Sequence, residues 1–226
     1  MIKAIIFDLD NTLLDFMKMK SYSISAAVKG MIKLGMDIEK DDAIKEIFSI
    51  YEDKGYEHQE VLNEFIITKL GHVNYKYLAA GIVEYKKAKE LSLDLYPDVL
   101  PTLNSLTNSG YKLGIASDAP SREAWIRLYT LNIHNIFNEV VTFNDTGYHK
   151  PAKEPFIKIA DKLNVLLEEC MMVGDWPERD IKGAKELNMK TAFARYGSTD
   201  SVKDSGADFD LNSISELIEI IKNINN

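Results

Sequence analysis

The chain opens Met1-Ile2-Lys3-Ala4-Ile5-Ile6-Phe7-Asp8-Leu9-Asp10-Asn11-Thr12. A short apolar run, residues 2–7, stops abruptly at two acids. Near-continuous apolar sequence without in-out alternation predicts a strand buried on both faces. Residues two apart on an extended chain point the same way, so Asp8 and Asp10 can both face one site. The run is too short for a signal peptide or a membrane span, and no later segment approaches the ~20 apolar residues a spanning helix needs. The chain reads as cytoplasmic.

Similar runs recur at 112–116, 140–143, 171–173 and 191–194. Between them lie stretches of helical period, such as Val99, Leu103 and Leu106, or Phe156, Ile159, Ala160 and Leu163. Strand and helix in alternation predict a doubly wound, Rossmann-like α/β core built on a parallel sheet. Ligands of such sheets lie beyond the carboxyl ends of the strands. Residues 16–94 break the alternation. Ile24, Val28 and Met31 share a helical face, as do Ile44, Ile47, Phe48 and Tyr51; Leu62, Phe65 and Ile66; and Leu78, Ile82 and Tyr85. The expected organisation is a core of residues 1–15 and 95–226 carrying an inserted unit of about four helices, 16–94. Pro97 is expected to open the next core helix, and hinges are expected near Asp15 and across 94–97.

The bulk numbers narrow the partners. Among 226 residues, 46% are hydrophobic, ample for a buried core, and 27 Lys and Arg against 35 Asp and Glu give a net charge of -8. That surface repels nucleic acid and anionic lipid, so neither is expected as a partner. The single Cys170 excludes an internal disulfide. Its apolar run, Cys170-Met171-Met172-Val173, marks it as a buried small hydrophobe.

Four loops at expected strand ends hold most of the reactive groups. The first is Asp8-Leu9-Asp10-Asn11-Thr12; as a calcium-binding loop it would want Gly at position 13 and Glu at 19, where the chain has Leu13 and Met19. The second is Ser117-Asp118, which alone reads as a helix cap. The third is His149-Lys150-Pro151, which alone reads as a solvated charge. The fourth, Gly174-Asp175-Trp176-Pro177-Glu178-Arg179-Asp180, puts an acid directly after a glycine at a strand tip, where backbone and ligand can approach closely. Trp176 adjoins Asp175 and is a candidate solvent shield, whereas Trp125 lies in a helical pattern and is expected in the core. His58, His72, His134 and His149 show no zinc-type spacing, and there is no P-loop or dinucleotide fingerprint.

Taken together and in this order, the four loops resemble the signature of the haloacid dehalogenase-like superfamily, and the resemblance spans essentially the whole chain. The helical insert looks like the small cap of its phosphoglycolate phosphatase and 2-haloacid dehalogenase branches. The resemblance implies a Mg²⁺-dependent phosphatase acting on a small phosphorylated metabolite. Asp8 would be the nucleophile, forming an aspartyl-phosphate, and Asp10 the general acid and base. Asp8, the Asp10 carbonyl and Asp175 would hold the metal, and Lys150 would neutralise nucleophile and phosphate. Thr12, Ser117 and Asp118 would serve substrate binding, and Asp180 would support the metal shell or orient Lys150. The demand for positive charge is physical. A carboxylate nearing a phosphate dianion meets two repulsions of ~4 kcal/mol each at ~4 Å and an effective dielectric of 20. Halide displacement needs no acid two residues after the nucleophile, so Asp10 favours phosphoryl transfer. A phosphomutase would use the same acid and stays open. A receiver domain, the non-enzymatic rival, carries its acceptor after a middle strand and is smaller.

Overall fold

The computed structural model describes residues 1–198 and 201–226. The chain divides into two compact units, one of Met1–Asp15 with Asp94–Asn226 and one of Phe16–Leu93.

The helical unit comprises α1 (Phe16–Lys33), α2 (Lys40–Lys54), α3 (Val61–Leu70) and α4 (Tyr75–Ser92). Its core is the set of stripes the sequence announces, with Ile24, Val28, Met31, Ile47, Phe65 and Ile66 all fully buried. α4 is the exception. Leu78 and Tyr85 lean on this core, but Ile82 is 38% exposed and the buried position is Gly81. A Cβ there would lie 3.3 Å from Leu62 Cδ1, so the helix packs through its smallest residue. One charge is buried in this unit. Lys20 is 5% exposed; its Nζ donates to the Tyr56 carbonyl at 2.6 Å and lies 4.4 Å from the centre of the Tyr51 ring.

The other unit is built on a sheet of β1 (Ala4–Phe7), β2 (Lys112–Ala116), β3 (Glu139–Val141), β4 (Cys170–Gly174), β5 (Lys190–Ala194) and β6 (Phe209–Leu211). The order is β3-β2-β1-β4-β5-β6, with every pairing parallel. β1 lies between β2 (Phe7 beside Ile115) and β4 (Phe7 beside Val173), and all four of its residues are buried, which is why its sequence shows no alternation. Helices α5 (Val99–Asn108), α6 (Ser121–Thr130), α7 (Phe143–Thr146), α8 (Lys153–Leu163), α9 (Lys182–Glu186) and α10 (Leu217–Asn225) complete it. The stripe Phe156, Ile159, Ala160 and Leu163 of α8 packs on Ile6 and Met172. The crossings into the helical segment run side by side: Asp15 N–H donates to Asp94 O at 3.1 Å, and Tyr96 N–H to Leu13 O at 3.0 Å.

Three local expectations are corrected. Strand β3 ends at Val141, because Asp145 Oδ2 accepts from the Thr142 N–H and hydroxyl, both at 2.8 Å, and starts α7 there. Pro97 precedes its helix rather than opening it, since Asp98 adopts φ 64° and α5 begins at Val99. Trp125 is 47% exposed, not core, because the buried face of α6 is Glu123, Ala124, Arg127 and Leu128. The edge strand β6 is too short to leave a pattern.

Candidate active site

The strand order reverses between β1 and β4, since the chain runs outward from β1 to one side and then resumes on the other. Such a switch point opens a crevice at the strand ends. Asp8 leaves β1 on one lip of it and Asp175 leaves β4 on the other. β4 ends in Gly174 because a Cβ there would fall 2.3 Å from the Asp180 carboxyl carbon. One wide helical turn, Pro177–Ile181, folds Asp180 back over that glycine, and the Trp176 N–H donates to Asp180 Oδ2 at 3.1 Å.

Among the described residues, Asp8, Asp175 and Asp180 each bring a carboxylate oxygen within 4.8 Å of the others. Lys150, 3% exposed, puts its ammonium 2.6 Å from Asp8 Oδ1 and 2.7 Å from Asp180 Oδ1. Burial pushes the Asp8 carboxyl up to about 8, with Lys150 opposing and Asp180 adding to the rise. Burial also raises Asp175, and the Asp8 and Asp180 charges raise it further. For Lys150 burial alone would lower the ammonium, but Asp180, Asp8 and Asp118 together hold it above its ordinary value. Three carboxylates and one ammonium leave two negative charges uncompensated when all are ionised. An all-oxygen donor set with that deficit fits a hard divalent cation.

The remaining expected residues lie around this centre. Thr12 is fully buried and its hydroxyl donates to Asp175 Oδ1 at 3.2 Å, tying the first loop to the fourth. Ser117 follows β2 directly, and its Oγ accepts the Ala119 N–H at 3.2 Å. Asp118 is committed on both oxygens: Oδ1 accepts the Lys150 N–H at 2.9 Å and Oδ2 accepts Arg179 Nη1 at 3.0 Å. Trp176 is 47% exposed, with the Arg179 guanidinium 4.0 Å over its ring. Asp10 turns its carboxylate to Arg127, whose Nη1 donates to Oδ2 at 2.7 Å.

Sequence reasoning missed Arg127 and the segment Tyr196-Gly197. Tyr196 donates its hydroxyl to the Thr12 carbonyl at 2.8 Å, and Tyr96 packs edge-on against it. A Cβ at Gly197 would sit 1.6 Å from the Asn11 carbonyl oxygen, so only glycine lets this segment back the loop after β1. Arg127 left a legible signal, a cation on the apolar stripe of α6; Tyr196 left none.

Residues 5–194 match the family model described as haloacid dehalogenase-like hydrolase. The chain belongs to that family. It is similar to a glyceraldehyde 3-phosphate phosphatase of Methanocaldococcus jannaschii, 35% identical over 225 residues and covering 99% of each chain. A protein of the same name from Methanopyrus kandleri is 32% identical, again over 99% of each. Among solved structures, a HAD phosphatase from Thermococcus onnurineus superposes with a TM-score of 0.73 at 27% identity, covering 97% of this chain and 98% of that one. The family expected from the four loops and the doubly wound fold expected from the alternation of strand and helix are borne out. The relatives' names agree with the expected enzyme class, a phosphoric monoester hydrolase. No helix among the described residues is long and apolar enough to cross a membrane.

Proposed function

We infer that this haloacid dehalogenase-like hydrolase is a magnesium-dependent phosphatase of small phosphorylated metabolites, with Asp8 as nucleophile and a three-carbon ester of the glyceraldehyde 3-phosphate type as substrate. The observation that supports the chemistry is the cluster of Asp8, Asp175 and Asp180 bridged by Lys150 at the switch point. The substrate rests on the two archaeal relatives that match it from end to end.

Asp8 and Asp175, with the Asp10 backbone carbonyl, would hold Mg²⁺. Bound there, the ion supplies Lewis-acid charge on a phosphate oxygen and brings the cluster near neutrality. The protein's own groups do the rest. Lys150 fixes Asp8 through Oδ1 and offsets the charge between nucleophile and phosphate, as a point charge without directional fork. The Asp8 carboxylate forms a bond to phosphorus as the ester P–O bond breaks. The leaving alkoxide takes its proton from Asp10. Asp10, now ionised, accepts a proton from water as that water attacks the aspartyl-phosphate, releasing phosphate and regenerating Asp8. Asp180 holds Lys150 in place, and Asp118 holds the Lys150 backbone, so Asp118 serves the site by tying its loops. Ser117 is placed to donate to a phosphate oxygen beyond β2. The helical unit is the cap in this reading, and the paired crossings at Asp15 and Asp94 are its hinge.

The test is a panel of phosphate esters headed by glyceraldehyde 3-phosphate, run with Mg²⁺, with EDTA and with Asp8→Asn. Turnover that needs magnesium and is lost in Asp8→Asn is expected, together with an acid-stable mass increment of one phosphoryl group on the Asp8 peptide of quenched wild-type enzyme. Magnesium-dependent turnover retained by Asp8→Asn sinks the nucleophile assignment. Turnover of other esters at the expense of glyceraldehyde 3-phosphate sinks the substrate alone.

A further inference from the structure

Arg127 is 1% exposed and heads the fully buried side chains by volume. It stands on the buried face of α6, and a guanidinium placed there is costly unless a counter-charge meets it. A counter-charge it meets is 117 residues away, on the loop after β1: Nη1 donates to Asp10 Oδ2 at 2.7 Å. The Asp10 side chain is 23% exposed, so one end of this pair is sealed in the fold and the other opens toward solvent. Meanwhile Asp10 stands outside the cluster formed by Asp8, Asp175 and Asp180 among the described residues. Four carboxylates therefore stand on two loops, and one of them is drawn aside by a buried arginine.

We propose that Arg127 is a positioning residue for Asp10: its guanidinium fixes the direction of the Asp10 carboxylate and keeps it out of the cation-gathering cluster, available to the leaving group. This rests on the reading of Asp10 as the general acid. An acid free to rotate two residues after the nucleophile would be drawn to the cation, where its oxygens serve as ligands and not as proton carriers. Arginine suits the task because its planar fork, locked by burial, holds a carboxylate in one orientation, which the single mobile ammonium of lysine does not. Misplacing a catalytic group by about 1 Å can cost ~10²-fold in rate.

Leaving-group chemistry separates positioning from packing. Nitrophenolate departs as a stable anion and needs little help from an acid, whereas an alkoxide needs its proton. The measurement is the first-turnover rate of phosphoryl transfer from p-nitrophenyl phosphate and from glyceraldehyde 3-phosphate, so that the shared hydrolysis step does not enter. It is made on full-length wild type, Arg127→Met, Arg127→Lys, Asp10→Asn and the double variant Asp10→Asn/Arg127→Met. Arg127→Met is expected to slow the alkyl ester by ~10–100-fold, near the lower range of what a general acid contributes. The aryl ester should slow by no more than a few-fold, with KM little changed for either. Arg127→Lys should recover part of the alkyl rate, and in the Asp10→Asn background Arg127→Met should add nothing. Equal losses on both esters, or a full further loss on top of Asp10→Asn, would leave Arg127 a packing residue and overturn the proposal. Should Arg127→Met not fold, the ester ratio of Arg127→Lys decides alone: a ratio equal to wild type overturns it. An Asp10→Asn variant with an unchanged ester ratio would instead remove the acid assignment itself, and this inference with it.

Discussion

Two lysines are buried to nearly the same degree in the two units, Lys150 at 3% and Lys20 at 5% exposure, in different company. Lys150 stands between the carboxylates of Asp8 and Asp180. Lys20, within the helical unit, meets a backbone carbonyl and the faces of Tyr51, Phe16 and Tyr85. The first setting concentrates charge that must be balanced by something else; in the second, a carbonyl dipole and ring quadrupoles face the ammonium. The lesson is that burial alone does not mark a functional cation. The groups it faces do.

Substitution is the sharpest way to break that comparison. Lys150→Met leaves Asp8 and Asp180 side by side and is expected to cost 3–5 kcal/mol of stability, on the order of a broken buried ion pair, along with turnover. Lys20→Met keeps the aliphatic stem and loses about 1–2 kcal/mol of cation–π and hydrogen-bond energy. Urea denaturation of both variants reads the difference. Equal costs would mean that the aromatic setting of Lys20 is as demanding as the acidic one.

Glycines extend the contrast to packing. At Gly197 a Cβ meets the Asn11 backbone at 1.6 Å, so Gly197→Ala should lose 1–3 kcal/mol or more and displace the loop after β1. At Gly81 the neighbour is the yielding end of Leu62, and Ala gains up to ~1 kcal/mol of helix propensity. Gly81→Ala should therefore be neutral or stabilising by thermal melt, and Gly197→Ala clearly destabilising.

The acid cluster also makes a pH prediction. The folded Asp8 carboxyl, pushed up to about 8, binds a proton that the unfolded chain, with its ordinary value of 3.8, releases. Where the folded state holds more protons, stability falls as pH rises. The Asp8 contribution to the stability of metal-free protein should thus be greatest below its unfolded value of 3.8 and fall by up to a few kcal/mol as pH rises toward about 8. Lys150 stays charged throughout that window, being held above its ordinary value. Saturating Mg²⁺ should flatten the slope, and so should Asp175→Asn in part. A metal-free slope of zero or of opposite sign would show the carboxylates already balanced within the protein.

The smallest effect concerns Cys170, a fully buried thiol that burial pushes up to about 12. Native protein should resist alkylation at pH 8 and react only on unfolding; reaction at the rate of a free thiol would place it nearer solvent than β4 allows.

How much of this was legible follows from what each feature leaves in the sequence. β1 and β2 announced themselves because strands buried on both faces must be continuously apolar. Asp8 and Asp175 were legible because each directly follows such a strand, whereas Lys150, which comes after α7, was singled out only by the order of the four loops. Asp118 was legible as a position, but not as a tie between Lys150 and Arg179, because its partners come from two distant loops. The same holds for Tyr196, which acts through a hydroxyl on a backbone carbonyl 184 residues earlier. Contacts of that separation have no local pattern.

The position of β1 between β2 and β4 has a consequence for biosynthesis. Asp8 is made before the lysine that meets it, which comes 142 residues later. At ~5–20 residues per second, that interval is roughly 7–28 seconds. Throughout it, residues 4–7 form an apolar segment whose neighbour β4 is not yet made, although β2 is complete at Ala116. The helical unit, contiguous from Phe16 to Leu93 with a core of its own, can meanwhile fold beside it. On the proposed mechanism a nascent chain is therefore chemically silent until the fourth loop has emerged, and the strand that leads into Asp8 waits longest for its second neighbour.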